Sequence, residues 1–146
     1  MSSQTTDLSL SGVHHVSFAV SDLNASIEWF TRCLGAQQVD RLGHHDADGK
    51  VFAVVMTLPG DGPTIQLRLD PAAARGTAGF DPVTFAVRDR ADLDRWAEHL
   101  DAQDVAHSPV LTKRIGEAVE LQSPDGVVLR LYTDLVGDLD TVEFTE

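Results

Sequence analysis

Two segments of the chain alternate apolar residues with small or polar ones. They are HVSFAV at His15–Val20 and PVTFAV at Pro82–Val87. In the first segment every second residue is apolar, namely Val16, Phe18 and Val20. An apolar residue at every second position is typical of a β-strand with one buried face. Both segments are therefore predicted to be strands that bury one face in the core.

A helical pattern follows each of these strands. The segment LNASIEWFTRCLG ends on Gly35, a common helix stop, and has apolar residues at helical intervals: Leu23, Ile27, Phe30 and Leu34. The segment ADLDRWAEHL in the second half has the same pattern. Strand-like runs come later in both halves, in the order VFAVVMTL, TIQLRL, EAVELQ and VVLRLY. Each half therefore predicts a βαβββ unit.

The two halves repeat one another in sequence. Aligning Val16 with Val83 brings further identical residues into register: Phe18 with Phe85, Asp22 with Asp89 and Trp29 with Trp96. An ordered set of matches indicates a duplicated unit. We therefore expect an α+β fold with one domain, residues 12–134, made of two tandem βαβββ modules at about 12–70 and 80–134. The modules would form a curved, cup-shaped mixed sheet with the helices outside. Residues 1–11 would be a flexible tail and residues 135–146 an acidic tail.

Composition narrows the classes of function. A chain of 146 residues with 42% hydrophobic residues can bury one sizeable core. The formal net charge of −12 argues against nucleic acid or an anionic membrane surface as a partner. One cysteine excludes an intramolecular disulfide. The sequence shows neither a membrane-spanning apolar run nor a signal peptide, so we expect a cytoplasmic protein.

Three stretches of the chain resemble the vicinal oxygen chelate superfamily. They are HHVSFAVSDLNASIEWFTRCLG, VTFAVRDRADLDRW and LQSPDGVVLRLY, and the resemblance extends over residues 12–134. The superfamily includes glyoxalase I, the extradiol dioxygenases and the bleomycin-resistance proteins. Membership implies a β cup that binds a small-molecule ligand. It does not identify a reaction, because one fold supports many chemistries.

The resemblance also implies where a metal would bind. Members with chemistry hold a divalent metal at the start of each module's first strand and in each module's last strand. Those positions are occupied here by His15, Gln66, Pro82 and Arg130. Proline has no side-chain donor atom, and arginine is a permanent cation. A catalytic metal usually needs about three protein ligands, so we expect no metal and no other cofactor.

Strand alternation predicts which side chains share the inner face of the cup. With His15 facing inward, the same face carries Ser17, Gln66, Arg68, Thr84, Glu120, Arg130 and Tyr132. The assignment depends on register, because a slip of one residue would reverse a strand. A partly buried arginine needs a partner. Arg130 is therefore expected either to pair with Glu120 or to bind an anionic ligand.

Two functions of different classes remain open. In the first, a metal-independent isomerase, lyase or cyclase acts on an oxygenated, possibly anionic molecule; His15 or Glu120 moves a proton and Arg130 stabilises an oxyanion. The residues expected to bind substrate are Ser17, Gln66, Arg68, Thr84 and Tyr132. In the second, the protein only binds a drug or metabolite, as bleomycin-resistance proteins do. The inward arginine favours the enzyme, which is the preferred hypothesis, although the acidic net charge favours the binder. A metal-dependent glyoxalase or dioxygenase is a further alternative.

Three remaining features have structural interpretations. The segment GHHDADG, Gly43–Gly49, is predicted to be a loop, and a lid over the cup is a better interpretation of it than a metal site. Trp29 and Trp96 occupy matching helical positions and are predicted to be core residues. A homodimer is expected, in which each chain pairs its own modules or exchanges them with the partner. Both arrangements remain open.

Overall fold

The computed structural model describes residues 7–134. The first module contains β1 (His15–Val20), α1 (Leu23–Leu34), β2 (Gln37–Gln38), a 3-10 helix (Asp40–Leu42), β3 (His44–His45), β4 (Val51–Thr57) and β5 (Thr64–Leu69). The connecting helix is α2 (Pro71–Thr77). The second module contains β6 (Val83–Val87), α3 (Arg90–Ala102), β7 (Leu111–Lys113), β8 (Gly116–Gln122) and β9 (Val128–Thr133). The C-terminal tail predicted at residues 135–146 lies outside the described residues, as do the first six residues of the N-terminal tail.

The described strands form two mixed sheets, one in each module. The first sheet has the order β1-β5-β4-β2, with β3 also paired to β4, and the second has the order β6-β9-β8-β7. In both sheets the first strand of the module runs parallel to the last, which in turn runs antiparallel to the strand before it. The repeated order confirms the α+β class and the tandem modules. Strands β1 and β6 are each at the edge of their own sheet.

Equivalent aspartates begin the main helix of each module. Asp22 Oδ1 accepts a hydrogen bond from the Ala25 N–H at 3.0 Å, and Asp89 Oδ1 accepts one from the Asp92 N–H at 2.8 Å. Such side-chain caps satisfy N–H groups that lack a partner within the helix. Gly35 ends α1 with φ of 72°, a left-handed conformation that glycine adopts without strain. The aspartate shared by the two repeats therefore has the same role in both.

One apolar core joins the two modules. It contains residues of β1, β5, β8 and β9 together with residues of both α1 and α3. Cys33 is fully buried within it, and burial raises the pKa of its thiol to about 12. At the junction of the helices, His99 Nε2 lies 3.1 Å from the carbonyl oxygens of Arg32 and Cys33, and Arg32 Nη1 donates to the Gln103 carbonyl at 2.8 Å. The modules are thus held together from the side that carries the helices.

Two local predictions differ from the structure. His44 and His45 lie in β3, which pairs with β4, rather than in a loop. The reason is the turn that follows, in which Asp46 Oδ1 accepts hydrogen bonds from the Asp48 and Lys50 N–H groups at 2.9 Å and closes a hairpin. Trp29 is buried as predicted, whereas Trp96 is only half-buried.

Within residues 7–134, no helix is long and apolar enough to cross a lipid bilayer.

Candidate functional site

The two faces of each sheet differ in polarity. Phe18, Ile65, Leu67, Leu129 and Leu131 are at most 4% exposed and face the core. The alternate residues are at least partly exposed, as the alternation predicts: His15, Ser17, Gln66, Arg68, Thr84, Glu120, Arg130 and Tyr132. The register places Ser17 beside Gln66 in the first sheet, and places both Thr84 and Glu120 beside Arg130 in the second. We call these exposed sides the polar faces of the two sheets.

Arg130 lies in an ion cluster on the polar face of the second sheet. Its Nε donates to Glu120 Oε2 at 2.5 Å, and its Nη1 donates to Asp81 Oδ2. Lys113 Nζ lies 3.2 Å from the same Glu120 oxygen. The cluster of Asp81, Lys113, Glu120 and Arg130 therefore contains two cations and two carboxylates. Of the two alternatives for Arg130, the structure has the pairing with Glu120, to which it adds Asp81, a residue that sequence patterns did not single out.

The ion cluster changes how its carboxyl groups titrate. The hydrogen bond from Arg130 is the main cause that holds the pKa of Glu120 below its usual range, and Lys113 contributes less. The hydrogen bond from Arg130 likewise lowers the pKa of Asp81. Both carboxyl groups are therefore ionised at neutral pH. A general base works best with a pKa near the operating pH, so Glu120 is a poor proton acceptor in this arrangement.

The polar face of the first sheet carries a hydrogen-bond network of Ser17, Gln66 and His44. Ser17 Oγ donates to Gln66 Oε1 at 3.0 Å, and Gln66 Nε2 lies 3.4 Å from His44 Nε2. His44 reaches this face because β3 pairs with β4, so it was missed when its segment was predicted to be a loop. His15, at the start of β1, forms a hydrogen bond with His14, with 2.9 Å between their Nδ1 atoms.

Arg68 gives the first polar face its positive charge. Its guanidinium carbon lies 5.3 Å from the centre of the Phe52 ring, within the range of a cation–π interaction. The Phe52 ring also meets the His44 ring edge to face, with 6.0 Å between centroids. Ala53 on β4 pairs with Arg68 on one side and with His44 on the other. Within residues 7–134, Arg68 forms no ion pair with a carboxylate.

The predicted substrate-binding residues divide between the two sheets. Ser17, Gln66 and Arg68 come together on the first sheet, with His44 beside them. On the second sheet, Thr84 is exposed on β6. The hydroxyl of Tyr132 accepts a hydrogen bond from the Ile115 N–H at 3.3 Å, next to the turn between β7 and β8.

The four positions at which the family holds a metal do not form a set of metal ligands here. Pro82 has no donor, and the guanidinium of Arg130 lies between two carboxylates, where it would repel a metal cation. His15 and Gln66 remain, and one of them offers only a weakly binding amide oxygen. Among the residues that the structure describes, no three His, Cys, Asp or Glu side chains are grouped to hold a metal ion. The histidines and aspartates of Gly43–Gly49 are among the residues that form no such group.

A cleft of about 730 Å³ lies between the modules. Its apolar wall includes residues that alternate with those of the polar faces, namely Val16, Val83, Phe85 and Leu131, together with Trp96 of α3. Charged residues also line it: Asp61, Arg88, Asp92 and Asp134. We call this cavity the intermodule cleft. No sequence pattern predicted it, because its shape depends on how the two modules pack.

Replacing Arg130 by Gln should raise the pKa of Glu120 toward its ordinary value, because the main cause of the lowering is removed. A lowered carboxyl pKa stabilises the folded state above the ordinary value of 4.5, and this contribution is lost as the pH falls through the lowered value. The difference in unfolding free energy between wild type and Arg130→Gln should therefore shrink from about pH 6 to about pH 3. Carboxyl ¹³C titration by NMR and urea unfolding at both pH values measure these two effects.

Arg130→Lys is the control for the loss of charge. A lysine keeps the cation and should keep part of the lowering. An unchanged Glu120 pKa in Arg130→Gln would contradict the ion cluster.

Comparisons with known proteins agree with this architecture. Residues 12–131 match the family model of the Glyoxalase/Bleomycin resistance protein/Dioxygenase superfamily. A search of the curated proteins found no match. A solved structure of a glyoxylase/bleomycin resistance protein/dioxygenase domain from Frankia sp. EAN1pec is 26% identical, with a TM-score of 0.65, and the alignment covers 86% of this chain and 98% of that one.

Two further solved structures share the fold at lower identity. TnmS3, an antibiotic binding protein from Streptomyces sp. CB03234, is 17% identical, with a TM-score of 0.67 and coverage of 86% of this chain and 98% of that one. The fosfomycin resistance protein FosX from Listeria monocytogenes is 16% identical, with a TM-score of 0.66 and coverage of 90% and 98%. Because the family model matches most of the chain, the protein belongs to the Glyoxalase/Bleomycin resistance protein/Dioxygenase superfamily, the family that its sequence resembles.

Proposed function

We propose that this protein binds an oxygenated, anionic small organic molecule on the polar face of its first sheet, without a metal. The observation that carries this proposal is the difference between its two inner-face arginines. Arg68 is exposed and, within residues 7–134, has no carboxylate partner, whereas Arg130 is paired with Glu120 and Asp81. Arg68 is therefore the cation on these faces that remains available to a ligand carboxylate, phenolate or phosphonate.

The neighbours of Arg68 suit the remaining oxygen atoms of such a ligand. Gln66 and Ser17 already share a hydrogen bond, and His44 lies next to Gln66. Each of these side chains can either donate a further hydrogen bond or exchange its present partner for an oxygen atom of the ligand. The Phe52 ring adds an apolar surface beside the guanidinium. The charged group of such a ligand would contact Arg68, and its small apolar part would contact the Phe52 ring.

Binding accounts for the arrangement better than acid–base catalysis does. Glu120 is held ionised by Arg130, so it is poorly suited to accept a proton. The charge of Arg130 is balanced by two carboxylates, which weakens its attraction for a developing oxyanion. The similarity to TnmS3, an antibiotic binding protein, supports the same choice, since this fold accommodates proteins that bind an antibiotic. We therefore place the protein among the ligand-binding members of its family.

Arg68→Gln should weaken the binding of anionic probes by about tenfold or more, because a charge-assisted hydrogen bond contributes about 1.5–3 kcal/mol. Benzoate, 4-hydroxybenzoate and phenylphosphonate are suitable probes, and calorimetry measures their affinities. Arg130→Gln is the matched control. It also removes one positive charge, but from an arginine that is already paired with two carboxylates, so it should change the affinity by less than about threefold.

The opposite pattern, with binding lost in Arg130→Gln and retained in Arg68→Gln, would contradict the assignment of the site. Conversion of a bound probe to a product would contradict a role in binding alone. Liquid chromatography with mass spectrometry detects such a product.

Independence from metal is tested by the metal content of the protein. After purification without chelator or affinity tag and dialysis against zinc, nickel, manganese and ferrous ions, the protein should retain well below one metal per chain. The reason is that Pro82 offers no donor and Arg130 is a cation. Elemental mass spectrometry measures the content, and His15→Ala should leave the small residual content unchanged. A stoichiometric metal that His15→Ala removes would return the protein to the metal-dependent members of its family.

We also propose that two copies of the chain form a homodimer. Large apolar side chains are exposed in the segment before β1 and just before β6: Leu8 at 75%, Leu10 at 95%, Val13 at 67% and Phe80 at 60%. The polar faces are open as well, with Ser17, Arg68 and Thr84 exposed. Apolar side chains that remain exposed in one copy favour association, and a two-fold dimer is the commonest outcome.

Leu10→Asp and Phe80→Asp should each shift the protein toward monomer, because a charge would be buried in the interface. Light scattering coupled to size-exclusion chromatography measures the mass at several concentrations. Leu42→Asp is the control, since Leu42 is 43% exposed in the 3-10 helix of the first module and should leave the mass unchanged. A wild-type protein that is monomeric at every concentration would rule out this dimer.

A further inference from the structure

We propose that the site on the first polar face selects hydroxyaryl acids, in which a ring separates the anionic group from a hydroxyl that donates a hydrogen bond. The inference rests on the proposed function, since the anionic group is the one that Arg68 would bind. It adds what the ligand carries at its other end. The observation behind it is the direction of the hydrogen bonds that join Ser17, Gln66 and His44.

A backbone carbonyl determines which nitrogen of His44 carries the proton. His44 Nδ1 lies 3.1 Å from the carbonyl oxygen of Leu42, just before β3. A carbonyl oxygen can only accept a hydrogen bond, so Nδ1 is the donor of this pair. In a neutral imidazole the other nitrogen then has a lone pair. His44 Nε2 is therefore an acceptor.

The position of this proton fixes the direction of the next two hydrogen bonds. His44 Nε2 lies 3.4 Å from Gln66 Nε2, so the amide of Gln66 presents an N–H to it. The same orientation turns the amide oxygen toward Ser17, whose hydroxyl donates to it at 3.0 Å. With the amide reversed, its oxygen would face the lone pair of His44 Nε2. The network therefore runs in one direction, starting at Ser17 and ending at the Leu42 carbonyl.

This direction leaves a hydrogen-bond acceptor at the start of the network. The Ser17 hydroxyl donates its one proton to Gln66, and within residues 7–134 it accepts no hydrogen bond. Its oxygen keeps its lone pairs, and Ser17 is exposed on the polar face. A ligand hydroxyl can donate to this oxygen while every contact of the network stays intact. At the same position a group that only accepts, such as an ether, would have to displace the Gln66 amide.

The arrangement of the strands separates this acceptor from the arginine. Strand β5 lies between β1 and β4. Ser17 of β1 pairs with Gln66, which is two residues before Arg68 on β5. The Arg68 guanidinium lies instead near Phe52 of β4. Because neighbouring strands are about 4.8 Å apart and residues two apart along a strand about 6.6 Å, the anionic group and the hydroxyl cannot be on neighbouring atoms of the ligand.

Small and aliphatic side chains leave room for a ring between the two groups. Ala19 of β1 and Ala53 of β4 pair with Arg68 on its two sides, and Val55 pairs with Gln66. Ala19 and Val55 are partly exposed. A flat ring that spans β5 can contact them, and burial of its apolar surface adds to the affinity. An aromatic acid with its hydroxyl across the ring therefore fits the site.

Substituted benzoates test the proposal by calorimetry at about pH 7.5, where a histidine is ordinarily neutral and a phenol keeps its proton. The tighter-binding of 3-hydroxybenzoate and 4-hydroxybenzoate should bind about fivefold more tightly than its methoxy analogue, because one hydrogen bond is gained. We call this ratio the hydroxyl preference. In 2-hydroxybenzoate the hydroxyl lies beside the carboxylate, so it should gain less than about twofold over benzoate.

Ser17→Ala and Thr57→Ala form a matched pair, since each removes an exposed hydroxyl from the first sheet. The Thr57 hydroxyl donates to the Gln37 carbonyl at 3.4 Å, on the side of the sheet away from β1. Ser17→Ala should reduce the hydroxyl preference to less than about twofold, because the acceptor is gone. Thr57→Ala should keep the preference at about fivefold.

His44 is a positioning residue, since its effect on the ligand passes through Gln66. In His44→Phe the Gln66 amide is free to turn, so Ser17 can donate to the oxygen of a ligand ether. The methoxy compound should gain affinity and the hydroxyl preference should fall below about twofold, a change that general damage to the site would not produce. His45→Phe, at the next residue of β3, is the control and should leave the preference in place.

Equal affinity of the wild type for the hydroxy and methoxy compounds would overturn the proposal. A hydroxyl preference that survives Ser17→Ala or His44→Phe would do the same. Arg68→Gln distinguishes these results from a failure of the proposed function. If benzoate binding depends on Arg68 and the hydroxyl adds nothing, the hydroxyl site alone is wrong. If benzoate does not bind, or binds equally well to Arg68→Gln, both proposals are wrong.

Discussion

Burial of alternate strand residues against one shared core determines what the rest of the molecule can present to a ligand. Phe18 and Leu67 in the first sheet and Leu129 and Leu131 in the second are almost fully buried. Shifting any of these strands by one residue would expose its apolar side chains, at about 1.5–3 kcal/mol for each large one. The register is therefore firmly set. Each polar face receives a fixed set of side chains, in fixed rows, from strands that the core holds in place.

The duplicated modules keep the same backbone plan and differ in charge. In the last strand of each module, Gln66 and Arg130 occupy the position at which the family can hold a metal. The first is part of the hydrogen-bond network with Ser17 and His44, and the second is held by Asp81 and Glu120 within a cluster of balanced charge. Because long-range attraction depends on unbalanced charge, the face that contains Arg68 can attract an anion, while the other face is largely neutral. Duplication of the fold has thus produced two surfaces of different chemistry.

The extent to which the sequence predicts this structure depends on the range of the interactions. Strand alternation and helix stops are local, so the two modules, their main helices and the alternation of buried and exposed strand residues followed from the sequence. Asp81 and Arg130 are 49 positions apart, and their contact depends on sheet pairing rather than on any local pattern. His44 joined the first polar face because the Asp46 side chain closes a hairpin. The intermodule cleft and the partial exposure of Trp96 depend on the docking of two finished modules, which periodicity does not describe.

The buried thiol of Cys33 provides a way to measure internal motion in the protein. With its pKa raised to about 12 and no exposed surface, it stays protonated and out of reach of alkylating reagents while the core is closed. Its own carbonyl lies against His99 of the other module, so the thiol is at the junction that must open if the modules separate. As the chain has one cysteine, the alkylation rate of the whole protein measures how often this junction opens. Any molecule that binds across both modules would slow that rate, and one held on a single sheet face would not.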